Sequence, residues 1–171
     1  MAPRYCSQCG AEAPQDKAVQ NLYVCANGHQ NWVNPLTGCC AYILKDGKVL
    51  FGVRSGKLYP GKLEIPGGIL EIGESLEECA IRESKEELGV DIRVVGYLGS
   101  YPSLYDPRPI LNAVFVAEII GGKVTPLDDM GGGEPVWLSL DNLPAKDELV
   151  WDWQVKSQQD LIKWYKKNGS R

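Results

Sequence analysis

The stretch from Pro66 to Val90 constrains this chain more tightly than any other. Pro66-Gly67-Gly68 reads as a tight turn that carries backbone close to whatever follows it. Ser75, with Glu78 three residues on, forms a capping box, and Gly89 is a helix stop. Between these signals Leu76, Ala80, Ser84 and Leu88 repeat every fourth residue, which predicts a helix over 75–88 with one packed stripe. Another face carries Glu83, Glu86 and Glu87 at i, i+3 and i+4, within one turn of each other. Two charges about 6 Å apart repel by roughly 3 kcal/mol at an effective dielectric near 20. Three such carboxylates make either a solvated helix face or a cation site. Arg82 and Lys85 are too few to neutralise them, and Arg82 is expected to pair with Glu78. Hard oxygen donors with room for water and phosphate suit Mg2+ or Mn2+, and the glycine turn ahead of the helix favours the cation site.

The rest of the composition narrows the chemistry. The chain has 171 residues, 44% hydrophobic and 23% charged, with a net charge of −4. That fits one domain, or one domain with a small appendage, and excludes collagen, coiled coil and disorder. No apolar run approaches membrane-spanning length, and Met1-Ala2-Pro3-Arg4 lacks the apolar core of a signal peptide. No membrane association and a cytoplasmic location are therefore expected. The slight acidity argues against nucleic acid as a partner. There are six cysteines and a single histidine, His29, so chemistry that needs a histidine base has one candidate.

Cys6 and Cys9 form C-x2-C ahead of Gly10, and Cys25 with His29 forms C-x3-H. Thiolates two residues apart on a tight turn can point at one ion, and a second pair at this separation is what a zinc ribbon requires. Disulfides would need an oxidising compartment, and unrelated buried thiols would leave the position of the only histidine unexplained. Cys6, Cys9, Cys25 and His29 are therefore candidate Zn2+ ligands. Cys39, Cys40 and Cys79 lie in apolar surroundings and are expected in the core.

Residues 1–34 are short, polar and turn-rich, a segment that a metal clip would stabilise; residues 35–171 form the main domain. Strands are predicted at Cys39–Lys45 and Val49–Arg54, joined by an Asp46-Gly47-Lys48 hairpin, and near Ile92–Leu98, Leu111–Ile120 and Val136–Leu138. A second helix is predicted over 147–167, where Leu161, Trp164 and Tyr165 share a stripe and Trp151 and Trp153 join the core face. Strands and helices mixed without strict alternation give an α+β or mixed-sheet sandwich.

Gly68, five residues, Glu74, seven residues, then Arg82-Glu83-Ser84-Lys85-Glu86-Glu87-Leu88-Gly89-Val90 resembles the Nudix box, G-x5-E-x7-R-E-U-x-E-E-x-G-U, where U is apolar. Only Ser84 departs, small where the box asks for an aliphatic residue. Seven fixed letters at roughly 7% each coincide about once in 10^8 windows. The resemblance extends from Gly38 to about Pro144. It implies an α/β/α sandwich around a mixed sheet and cleavage of a pyrophosphate linkage in a nucleoside diphosphate derivative. By position it implies Glu86 and Glu87 as main metal ligands and Glu83 as ligand or base. Arg82 would orient the glutamates, the Gly67 carbonyl could complete the coordination, and Glu134 is the candidate further glutamate. Met130–Gly133 reads as a lid or a plain surface turn.

Tyr5-Cys6-Ser7-Gln8-Cys9-Gly10 and Asn34-Pro35 also fit the Nudix subgroup with an N-terminal zinc ribbon, which includes NADH pyrophosphatases and ADP-ribose pyrophosphatase-like proteins. In that subgroup a fourth cysteine normally precedes the equivalent of Gly28-His29, so here His29 takes its place. Arg54 is a candidate phosphate contact, and Tyr101, Tyr105 and Trp32 are candidate base-stacking residues. The expected substrate is an adenine-containing dinucleotide of ADP-ribose or NADH type. The alternatives are a nucleoside triphosphate or dinucleoside polyphosphate, or a non-enzymatic nucleotide sensor. A homodimer is a candidate assembly.

Overall fold

The structure, a computed structural model, describes residues 5–12, 22–32, 34–55, 57–105, 108–125 and 133–169. Strands β1 (Leu22–Val24) and β2 (Gln30–Trp32) form a small antiparallel sheet of their own. The main sheet is built from β3 (Leu36–Lys45), β4 (Lys48–Val53), β5 (Leu63–Glu64), β6 (Gly67–Ile69), β7 (Val90–Tyr105), β8 (Arg108–Gly122) and β9 (Gly133–Ser139), with helices α1 (Leu76–Leu88) and α2 (Trp153–Asn168). Its central order is β5-β4-β3-β8-β7, with β6 beside β3 and β9 beside β4.

Strand β3 organises the molecule. It runs parallel to β8, from Leu36 opposite Ile110 to Leu44 opposite Glu118, and antiparallel to β4 and β6 on its other edge. A strand covered on both faces reads as one continuous apolar run, as Cys39–Ile43 does. The two-residue period then sorts its side chains. Cys39, Ala41 and Ile43 pack with Phe115 and with Cys79, Ala80 and Leu88 of α1. Cys40 and Tyr42 pack with Val114, Val116 and Leu161 of α2. The result is the expected α/β/α sandwich around a mixed sheet. Asp46 and Gly47 have φ of 50° and 71°, the left-handed pair of a type I′ hairpin that closes β3 onto β4. Among the described residues no helix is long and apolar enough to cross a membrane.

Three expectations need correction. β7 and β8 run well beyond their predicted limits, because Gly96 and Gly99 sit at register shifts within β7 rather than ending it. Gly96 also has a packing role, since a Cβ there would lie 2.7 Å from the Trp164 indole nitrogen. The second helix begins at Trp153, not Asp147. The Val150 N–H bonds the Leu63 carbonyl at 3.0 Å, and Leu149 bridges Leu63, so this chain is drawn out along β5 after a single 3-10 turn at Lys146–Glu148. Finally, Arg82 does not pair with Glu78, whose carboxylate is used up in the cap of α1. The departure at Ser84 is accommodated simply: its buried hydroxyl donates to the Ala80 carbonyl at 2.7 Å.

Candidate active site

The turn at Pro66 leads into β6, whose Gly67 and Gly68 lie opposite Cys40 and Cys39 of β3. Neither position has room for a side chain. A Cβ on Gly67 would lie 2.6 Å from Cys40 Sγ, and one on Gly68 would overlap the Glu83 carboxylate. The glycines let α1 lay its acidic face directly on the strand. The Gly67 N–H donates to Glu87 Oε2 at 2.7 Å, which fixes that carboxylate against the backbone.

Arg82 joins the loop before the helix to the acidic face. Its Nε and Nη2 hold both oxygens of Glu74 at 3.1 and 2.8 Å, and Nη1 reaches Glu83 at 2.7 Å and Glu86 at 3.0 Å. The Arg82 contact keeps the Glu74 carboxyl at about 2, well below the usual carboxylate range. Burial acts the other way on the cavity side. It pushes Glu83 upward, and it pushes Glu87 to about 8 despite the opposing Gly67 N–H, with the charges of Glu64 and Glu83 adding to the shift.

Glu83 and Glu87 open into a cavity of about 270 Å3 that is also lined by Gly67, Gly68, Arg54 and Glu64. Ser103, Tyr105 and Asn112 from β7 and β8, with Trp151 and Trp153, complete its wall. A larger hollow of about 860 Å3 lies at the far end of the sheet. The carboxylates in its lining are Asp46 and Glu118, and Glu118 is already paired with Arg93 at 2.9 Å. The chemistry selects the smaller cavity. Buried oxygen donors on an unyielding glycine backbone, with a single arginine against Glu74, Glu83 and Glu86, suit a hard divalent cation.

The sequence-derived residues divide as follows. Arg54, Gly67, Glu83, Glu87 and Tyr105 line the cavity, and Glu86, half-exposed, is linked to it through Arg82. Tyr101 does not reach the cavity: it is buried, stacked on Trp153 at 5.9 Å, and its hydroxyl donates to Asp160 at 3.2 Å. Glu134 is exposed at the start of β9 and is not part of the lining, and Trp32 lies on the small sheet. Met130–Gly132 of the suggested lid fall outside the described residues. Cys39 and Cys79 are core residues as expected, whereas Cys40 also borders the cavity.

Glu64, Asn112, Trp151 and Trp153 also line the cavity, and no local motif marks them as site residues. For Glu64 a signal existed, a lone carboxylate between Leu63 and Ile65 directly before the glycine turn. The periodicity places the tryptophans on a helix face, but Trp151 precedes the helix.

The cysteine cluster is equally compact. The ligand atoms of Cys6, Cys9, Cys25 and His29 all lie within 4.8 Å of one another. Cys9 Sγ to Cys25 Sγ is 3.7 Å, and His29 Nδ1 stands 3.8 Å from Cys6 Sγ and 3.6 Å from Cys25 Sγ. A tetrahedral ion with metal–sulfur bonds near 2.3 Å has edges of about 3.8 Å, so the donor set has the shape and softness of a tetrahedral metal site. Gly10 and Gly28, both with left-handed φ, turn the chain beneath it.

A family model described as the NUDIX domain matches residues 35–159. The chain belongs to the NUDIX family. It is 36% identical over 140 residues to the ADP-ribose pyrophosphatase of Methanocaldococcus jannaschii, covering 81% of this chain and 78% of that protein. It is 32% identical over 142 residues to the NAD-capped RNA hydrolase NudC of Stutzerimonas stutzeri, covering 83% of this chain and 50% of that protein. The chain thus spans half the length of that second relative. The crystal structure of a NUDIX hydrolase from Nitrosomonas europaea superposes over 97% of this chain and 92% of its own, with a TM-score of 0.73 at 22% identity, which establishes the fold. With relatives named pyrophosphatase and hydrolase, this NUDIX chain is a hydrolase.

The Glu87 environment sets a pH dependence for the protein in magnesium-free buffer. The folded-state value near 8 lies above the ordinary 4.5, so folding favours the protonated carboxyl. This contribution is complete below about pH 4.5 and is lost as the pH rises toward 8. Thermal melts should show falling stability from pH 5 to 8, and Glu87→Gln should flatten that slope. A slope identical in the variant would assign the effect to other groups.

Proposed function

We propose that this NUDIX hydrolase cleaves the pyrophosphate bond of an adenine-containing nucleoside diphosphate derivative of ADP-ribose or NADH type. The observation that carries the reading is the convergence of Glu83 and Glu87, across Gly67 and Gly68, on a cavity whose wall also holds Arg54, Tyr105 and Trp151. Phosphate-binding charge, a carboxylate cluster and flat aromatic surface are what such a substrate presents partners for.

Glu86 and Glu87 would hold Mg2+ or Mn2+. When bound, the ion neutralises charge on the phosphate oxygens and lowers the pKa of the attacking water. The Gly67 N–H holds the Glu87 carboxylate in place. Arg82 restrains Glu83 through Oε1, leaving Oε2 to take the water's proton. Arg54 meets the phosphates. Zn2+ would occupy the Cys6, Cys9, Cys25 and His29 cluster as a structural ion, so that residues 1–34 act as a ribbon beside the hydrolase domain of residues 35–171.

A product-resolved assay tests the reading. ADP-ribose with Mg2+ should give AMP and ribose 5-phosphate, and NADH should give AMP and the reduced nicotinamide mononucleotide. Turnover confined to nucleoside triphosphates or dinucleoside polyphosphates would replace the substrate class, and nucleotide binding without any hydrolysis would replace the enzyme with a sensor.

A further inference from the structure

Part of the cavity wall is built from chain outside the acidic helix, and it converges on one buried carboxylate. Glu64, 5% exposed, ends the short strand β5 and is paired in register with Gly52 of β4, two residues before Arg54. Its Oε1 forms an ion pair with Arg54 Nε, and its Oε2 accepts the Trp151 indole N–H at 3.2 Å. A buried carboxylate with one cation is a poor source of stability, since apolar replacements are often as good or better. Its place on a cavity wall therefore calls for a role in the cavity.

Each group held by Glu64 presents chemistry that complements one half of a nucleotide. With Nε occupied, the Arg54 guanidinium keeps its Nη groups, which have no hydrogen-bond partner among the described residues. Trp151 offers a flat ring with a fixed N–H. Its ring is bracketed by Tyr59 at 5.9 Å and Tyr105 at 5.8 Å, so it cannot easily turn away. Tyr59 adopts a φ of 57°, an uncommon conformation for a bulky residue. Its loop closes back on Arg54 through Gly61 N–H to the Arg54 carbonyl at 2.7 Å and Arg54 N–H to the Lys62 carbonyl at 2.9 Å. The Trp151 segment is tied to the same strand by the Val150 N–H to Leu63 bond.

We propose that Glu64 is a positioning residue that locks Arg54 and Trp151 into one unit, which binds the phosphate and the planar base of a nucleoside monophosphate moiety. The identity of that moiety rests on the substrate reading above; the lock itself is a feature of the cavity wall.

Calorimetric binding of AMP in magnesium-free buffer tests the lock apart from turnover. Glu64→Gln keeps an acceptor for the indole but removes the charge that holds Arg54, so the Kd for AMP should rise about tenfold. Glu64→Leu loses both partners and should raise it about a hundredfold. With ADP-ribose and Mg2+, KM should rise in step with Kd while kcat stays within about threefold. In an Arg54→Met background Glu64→Gln should add less than about twofold, a non-additivity that a merely structural role does not produce. If Glu64→Leu does not fold, Glu64→Gln alone decides. An unchanged Kd in Glu64→Gln, a fall in kcat with KM unaltered, or a wild-type protein that does not bind AMP would overturn the proposal. Binding of AMP that depends on Glu64, in a protein that hydrolyses no pyrophosphate substrate, would leave the lock standing and remove the hydrolytic reading.

Discussion

Glu86→Gln should lower kcat for pyrophosphate cleavage by about 10^3 while leaving the fold intact. The charge is the only thing removed, because glutamine has the same shape and still accepts the Arg82 Nη1 hydrogen bond now made at 3.0 Å. Glu86 is half-exposed, and its ion pair with Arg82 spans one helical turn, so the stability change should stay within about 0.5 kcal/mol. Large kinetic loss without thermal loss distinguishes a metal-holding carboxylate from a solvated helix face, the bland alternative for this acidic helix. Raised Mg2+ or Mn2+ should recover part of the rate if the variant binds the ion more weakly. Full activity in Glu86→Gln at ordinary Mg2+ would remove this residue from the ligand set. A melting temperature lowered along with the rate would mean that the carboxylate serves the fold instead.

The second large effect belongs to the cysteine cluster. Purified protein should contain about one zinc per chain, and Cys25→Ser should lose it and unfold the segment around β1 and β2. That sheet has three residue pairs, and among the described residues of the segment the buried side chains are Cys6, Tyr23, Cys25 and Asn31. So little apolar surface cannot offset the entropy of ordering the segment, whereas a structural zinc supplies on the order of 10 kcal/mol in small folds. The Asn31 amide ties the two knuckles together, accepting from the Ser7 hydroxyl and donating to the His29 carbonyl. His29→Cys should keep the metal, because a thiolate can take the imidazole's corner of the tetrahedron, and cobalt substitution should then show the spectrum of four sulfur ligands. The NUDIX domain should be affected far less, since its two core clusters contain no residue of the small sheet. Absence of zinc, with free thiols and an intact β1–β2 pair, would rule out the clip.

Much of this protein was legible as local chemistry. The capping box at Ser75 and Glu78 and the left-handed stop at Gly89 stand where the sequence placed them, because caps and stops act within a few residues of themselves. The hairpin at Asp46-Gly47 and the core stripe of α1 belong to the same class. Glu83 and Glu87 were legible as candidates because helical spacing alone puts them on one face.

Elements whose limits depend on distant partners were not. Trp151 reads as helix by periodicity, yet hydrogen bonding of Val150 to Leu63, 87 residues earlier by number, draws that chain along a strand instead. Tyr101 reads as an aromatic available to a base, but its neighbours Trp153 and Asp160 come from α2 and enclose it. Arg54 and Glu64 are ten positions apart with no helical or strand spacing between them, so only the pairing of β4 with β5 brings them to one carboxylate–guanidinium contact.

The sequence by itself determined the acidic helix, the glycine turn before it and the spacing of the cysteine knuckles, since each depends on backbone preferences and side-chain periods over one or two turns. The tertiary structure alone decided that Glu87 is buried against the Gly67 N–H, that His29 faces three sulfurs, and that Glu64, Arg54 and Trp151 meet on the cavity wall. Those relations are long-range. They are set by how β3 sorts its neighbours on either face, and burial, which shifts a carboxylate's pKa or commits it to a cation, exists only once those faces have closed.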